Sequence, residues 1–113
     1  MTQNYPRTMY AGGAVGLDEA HFHLCLYITG QTDRSVAAMG NLRRICEVHL
    51  SGRYQLEVID LATQPQLAAE DRILATPTLV RRRPTPVKRI VGDLSDTEKL
   101  LARLDIRRKT DFP

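Results

Sequence analysis

An α/β domain built around one parallel βαβ unit is the fold class this sequence predicts. Three observations predict it. The segments "FHLCLYIT" (22–29) and "YQLEVIDL" (54–61) carry the apolar patterning of buried strands. A stretch of helical spacing about seventeen residues long separates them, and strands joined by a helical crossover pair in parallel. A second helical stretch, two short strand candidates and a last helix follow, so the order is β-α-β-α-β-β-α. At 113 residues the chain fits one domain.

In the first strand, Phe22, Leu24, Leu26 and Ile28 line one face and His23, Cys25, Tyr27 and Thr29 the other. Both faces are largely apolar, as in a central strand covered on two sides. "GQTD" breaks the pattern, and Thr32 or Asp33 caps the first helix. That helix runs to about Leu50, with Val36, Met39, Leu42, Ile45, Cys46 and His49 at helical spacing and Gly52 as its stop. "TQPQLAAEDRIL" reads as a short, weakly amphipathic helix with Pro65 in its first turn. Leu67, Glu70, Asp71 and Leu74 fall on one side of it. "TPTLVRR" and "VKRIVG" are short strands joined by "RPTP", which has no Asn-Gly or Asp-Gly hairpin signal. "SDTEKLLARLDIRRK" is the final helix. Ser95 and Glu98 form its capping box, Leu100, Leu101 and Leu104 its buried stripe, and Arg107, Arg108 and Lys109 complement its negative end.

The hydrophobic fraction is 42% and Trp is absent, so the core is mainly aliphatic. No apolar run approaches the roughly 20 residues of a membrane span, and residues 1–20 lack a continuous apolar leader core. The first twenty residues read as a flexible extension, the domain spans 21–108, and 109–113 form a tail. The location expected is the cytoplasm. Cys25 and Cys46, the only cysteines, sit in apolar patterns and read as small buried residues. No metal-ligand spacing appears, so neither a metal nor a cofactor is expected.

Net charge is +3, and its distribution is uneven. From Arg72 through Gly92 there are six basic residues and no acid. Arg81, Arg82, Arg83, Lys88 and Arg89 are able to neutralise phosphates, but no aromatics are interleaved to stack on bases. A solvated basic face, or a patch for an acidic protein surface, is the favoured reading, and nucleic acid is not an expected partner. Asp60, Asp93, Asp96 and His49 are scattered over different elements without triad spacing, so no enzyme is expected.

The element order, with Pro77 opening the third strand, is that of the thioredoxin fold. Yet "GQTDRS" stands where such folds place a reactive cysteine at a helix start. The stretches "LYITGQT", "SVAAMGNLRRICE", "QPQLAAED", "ILATPTL" and "IVGDLSD" together resemble the KaiB family over roughly Leu24 to Ile106. The resemblance implies a non-enzymatic partner of the hexameric ATPase KaiC, bound at its N-terminal ring, in circadian timing or a related timer or stress response. KaiA and a sensor histidine kinase are the further partners it implies. It also implies two folds: the thioredoxin-like state, monomer or dimer, which binds KaiC, and a tetramer-forming state β-α-β-β-α-α-β. The weak second helix and the poorly specified strands fit a half that packs in two ways.

On the family pattern the partner surface draws on Gln64, Gln66, Leu67 and Arg72, with basic help from Lys88 and Arg89. Pro77, Gly92 and Asp93 are the hinge positions of the switch. Arg103 in "LARLD" replaces a glycine of clock-type relatives, which favours the last helix by about 0.5–1 kcal/mol and hence the thioredoxin-like state. Ala37 and Glu57 stand at positions where some clock relatives are basic, which places KaiC ahead of KaiA as partner. A fixed-fold adaptor, or a partner of a sensor kinase, is the alternative. A thiol protein using Cys25 or Cys46 is a third reading.

Overall fold

The strand expected to be covered on both faces is the middle strand of the sheet. In a computed structural model, residues 7–11 and 22–106 are described. The elements are β1 (Arg7–Ala11), β2 (Phe22–Ile28), α1 (Asp33–His49), β3 (Tyr54–Asp60), α2 (Gln66–Glu70), β4 (Thr78–Arg83), β5 (Lys88–Val91) and α3 (Thr97–Arg103). The sheet order is β1-β3-β2-β4-β5. β2 and β3 run parallel, from Phe22↔Tyr54 to Ile28↔Asp60, as a helical crossover requires. β4 pairs antiparallel with both β2 and β5. From β2 onward the order is the expected β-α-β-α-β-β-α.

β1 was not expected. Arg7–Ala11 lie inside the segment read as an extension, and they pair antiparallel with β3 from Arg7↔Ile59 to Ala11↔Gln55. Arg107, Arg108 and Lys109, expected at the end of the last helix, lie outside the described residues.

The sheet separates two apolar layers of unequal size. On one face, Leu24, Leu26, Leu56 and Leu79 pack against Ala38, Leu42, Ile45 and Cys46 of α1 and Leu100, Leu101 and Leu104 of α3. On the other, Cys25, Tyr27, Ile59 and Val80 meet Leu61, Leu67 and Ile73 around α2. Side-chain alternation along β2 feeds both layers.

Thr32 caps α1, accepting from the Ser35 amide at 3.1 Å, an interaction worth about 1 kcal/mol. Its buried stripe is Ser35, Ala38, Leu42, Ile45 and Cys46. The expected stripe is thus corrected at its start: Val36 is 48% exposed, because the helix meets the sheet through the face that begins one residue earlier. α2 is only five residues long and buries Leu67 alone. Leu74, expected on its apolar side, is 99% exposed because the chain has already turned away. The cap of α3 is Asp96, accepting from the Lys99 amide at 3.1 Å, rather than Ser95. The Ser95 amide is turned instead to the Asp93 carboxylate.

Candidate partner-binding surface

The C-terminal end of α2 sets the local geometry. Arg72 adopts a left-handed φ of 58°, and the Ile73 amide returns to the Ala68 carbonyl at 2.8 Å. This is the closure usually given to glycine, and here an arginine takes it. Arg89 of β5 completes it. Its guanidinium donates to the Arg72 carbonyl at 2.9 Å and to the Asp71 carbonyl at 3.0 Å. A cation on the last carbonyls of a helix satisfies unpaired acceptors and opposes the negative end of the dipole.

Beneath this turn lies a polar network. Tyr27 Oη donates to Asp71 Oδ2 at 2.6 Å, and Arg82 Nη2 donates to Tyr27 Oη. Arg82 also lies 3.8 Å from Asp71 Oδ2. Burial, and then the bond to Asp71, push the Tyr27 hydroxyl well above its ordinary pKa. Tyr27, Glu70, Asp71, Arg72, Arg82 and Arg89 border a cleft of about 330 Å³.

The residues expected to meet a partner divide into three groups. Gln66, Arg72 and Arg89 are exposed and Gln64 is half-buried, all on the α2 side. Leu67 is buried between Tyr27 and Ile73, so it supports the surface from below. Lys88 projects from the opposite face of β5, 4.0 Å from Asp105 beyond α3. The expected set therefore does not form one continuous patch.

The positions read as hinges cluster where β4 begins and β5 ends. The Pro77 carbonyl accepts from the Gly92 amide at 3.0 Å, and the Thr76–Pro77 peptide is cis. Gly92 has φ 131°, a conformation that requires glycine. The Asp93 carboxylate accepts from the Ser95 amide at 3.1 Å, and hydrogen bonding to Ser95, by its side chain first and then its backbone, holds the Asp93 pKa below the ordinary value. Its carbonyl accepts from Asn41 Nδ2 at 2.9 Å, tying this corner to α1. Arg103 is exposed in the last turn of α3, with Nη2 3.4 Å from the Arg89 carbonyl.

The solvated-face reading of the basic segment fails at Arg81. Its side chain is inside the protein, on the α1–α3 layer, and only 1% of the residue is exposed. Nη1 donates to the Leu104 carbonyl and Nη2 to the Pro86 carbonyl at 2.8 Å. Asp105 Oδ2 lies 3.4 Å away. α3 thus ends as α2 does, with a left-handed residue (Asp105, φ 58°) and an arginine from the sheet on its last carbonyl. The available signal was strand alternation: Arg81 shares a face with Leu79, the apolar inner face of the sheet.

The cysteines are core residues. Cys25 and Cys46 are free and fully buried. Burial pushes the Cys46 thiol up to about 12 and raises that of Cys25 as well. The start of α1 carries no thiol, and nearby the Thr29 and Thr76 hydroxyls share a hydrogen bond at 2.9 Å.

Residues 25–106 match the KaiB domain. The chain belongs to the KaiB family. It is 55% identical over 83 residues to the circadian clock oscillator protein KaiB of Synechococcus elongatus, covering 74% of this chain and 81% of that protein. To the circadian clock protein KaiB3 of a Synechocystis species it is 48% identical over 90 residues, covering 80% of this chain and 88% of the relative. Among solved structures, this KaiB homologue is similar to the N-terminal domain of Synechococcus elongatus SasA. The TM-score is 0.62 at 25% identity, over 85% of this chain and 93% of that domain. It also superposes on mitochondrial thioredoxin 3 of Saccharomyces cerevisiae with a TM-score of 0.61 at 15% identity, covering 78% and 81%. That likeness concerns the fold alone. The thioredoxin-like fold expected from the element order is thus the fold of this KaiB-family chain. Among the described residues, no helix is long and apolar enough to cross a membrane.

Proposed function

We propose that this chain is a non-enzymatic regulatory protein that binds the N-terminal ATPase ring of a KaiC hexamer. One observation carries the reading. A chain of the KaiB family stands here in the thioredoxin-like arrangement, which the family resemblance associates with KaiC binding, and that arrangement covers 93% of the SasA N-terminal domain. The binding surface proposed is the α2 side, with Gln64, Gln66 and Arg72 facing the partner and Arg89 holding the turn that presents them. Leu67 keeps a supporting role. Lys88 belongs to a separate face and is proposed as a secondary contact. Pro77, Gly92, Asp93 and Arg103 are the positions at which the C-terminal half would refold. KaiA and a sensor histidine kinase are secondary partners. The buried Glu57 and the alanine at position 37 weaken the case for KaiA.

Size-exclusion chromatography with the cognate KaiC, with and without ATP and over a series of incubation times, tests the proposal. A complex that forms without a slow phase fits a thioredoxin-like state already in place. A slow, nucleotide-dependent complex fits a switching chain. Absence of a complex under every condition rejects KaiC as the partner. A second reading, a fixed-fold adaptor for a sensor kinase, is favoured by Arg81, whose buried contacts fasten α3 to the sheet.

A further inference from the structure

Polar contacts fasten the far end of α2 to the sheet. The helix is five residues long, and its one buried residue, Leu67, stands near its start. So short a helix does not hold its shape alone. Asp71, which closes it, is gripped at two places. Its carboxylate accepts from the Tyr27 hydroxyl at 2.6 Å and lies 3.8 Å from the Arg82 guanidinium. Its carbonyl accepts from Arg89 at 3.0 Å. Tyr27 belongs to β2, Arg82 to β4 and Arg89 to β5, so three adjacent strands hold one residue. Tyr27 is the centre of the grip. It is fully buried, and its hydroxyl donates to Asp71 while accepting from Arg82. A hydroxyl with both roles filled is fixed in orientation. The next residue in the chain is Arg72, exposed and at a left-handed φ of 58°.

We propose that Tyr27 is a positioning residue for partner recognition: with Arg82 it holds Asp71, and Asp71 sets the turn that presents Arg72 to the partner. The proposal rests on the α2-side reading of KaiC binding given above and names what governs that surface from beneath. A left-handed conformation is unfavourable for arginine and persists only where its surroundings over-determine it. The grip on the preceding residue does that here. Once it is released, the presenting turn becomes one conformation among several, and apparent affinity falls with the fraction that remains. Leu67 cannot replace the grip, because it anchors the other end of the helix. The buried hydroxyl of Tyr27 thereby acts on binding without touching the partner.

The test uses the full chain and three variants. Tyr27→Phe removes the hydroxyl alone, Asp71→Ala removes the carboxylate it grips, and Asp71→Asn keeps an acceptor there. In the free protein, the amides of Asp71, Arg72 and Ile73 bond back to α2 carbonyls. Their hydrogen exchange is expected to quicken about fivefold in Tyr27→Phe and in Asp71→Ala. In a KaiC binding isotherm the same two variants weaken the complex about fivefold. Combining them weakens it no further, since both break one grip. Asp71→Asn stays within twofold of the full chain. With Arg72→Gly as the starting point, Tyr27→Phe costs less than twofold, because the side chain it positions is gone. Faster exchange with unchanged KaiC affinity makes the grip purely structural and overturns the proposal. So does a binding loss that keeps its full size in Arg72→Gly. If the full chain forms no KaiC complex, the KaiC reading falls and exchange alone judges the grip: unchanged rates at the three amides reject it.

Discussion

Arg81, in the middle of β4, donates its guanidinium to the carbonyl of Leu104, the residue that closes α3. The same side chain also satisfies the Pro86 carbonyl in the turn leading to β5. One buried cation therefore joins the strand, the turn and the last helix. Arg81→Ala leaves two carbonyls without their donor and a cavity in the larger apolar layer. The expected loss is about 3 kcal/mol in denaturant unfolding. A loss below about 1 kcal/mol would show that water replaces the guanidinium without penalty.

Arg72 separates stability from recognition. Its φ of 58° is strained for arginine and comfortable for glycine. Arg72→Gly is expected to raise stability by about 1 kcal/mol, because Arg89 still reaches the two carbonyls of the turn. It is also expected to weaken the KaiC complex about tenfold, which is about 1.4 kcal/mol. Urea titration and a binding isotherm on the same protein read the two effects. If both fall together, Arg72 is a structural residue and not a contact.

Arg103→Gly returns the last turn of α3 to the residue that the family resemblance associates with clock-type chains. The expected cost to the thioredoxin-like state is about 0.5–1 kcal/mol. In an NMR amide spectrum this appears as growth of a second set of peaks, with the minor population rising roughly fivefold at most. An unchanged state ratio counts against a role for Arg103 in the switch.

The Cys46 thiol, ordinarily near 9.0, is pushed up to about 12 by burial. A raised folded pKa means that the folded protein holds the proton more tightly than the unfolded chain. The associated stability is complete below pH 9.0 and is lost as pH rises through the window toward about 12. At pH 8, a thiol reagent should label neither cysteine in the folded protein and both in denaturant. Rapid labelling of the native protein would revive a thiol function.

Much of the architecture was legible because periodicity reports which faces are buried. β2, α1 and β3 follow from alternation and from Thr32, whose hydroxyl caps the helix as its position suggests. The rest was hidden for physical reasons. Arg81 reads as a surface residue because its partners are backbone carbonyls more than twenty positions away and five positions ahead, which no local pattern records. Lys88 and Arg89 are neighbours in sequence and therefore point to opposite faces of a strand, so they cannot serve one patch. Leu67 was correctly placed on α2, but it is the only buried residue of that helix and is directed inward. β1 was missed because a five-residue edge strand is specified by the partner strand it covers.

The inequality of the two apolar layers has a thermodynamic consequence. The layer under α2 is small and is roofed by a helix of little more than one turn with a single anchor, Leu67. Such a roof loosens by local melting well before the whole domain unfolds. The proposed partner surface lies on it, so a protein that docks there must first still it. Association should therefore show a favourable enthalpy opposed by an ordering entropy, and warming should weaken the complex well below the temperature at which the domain melts.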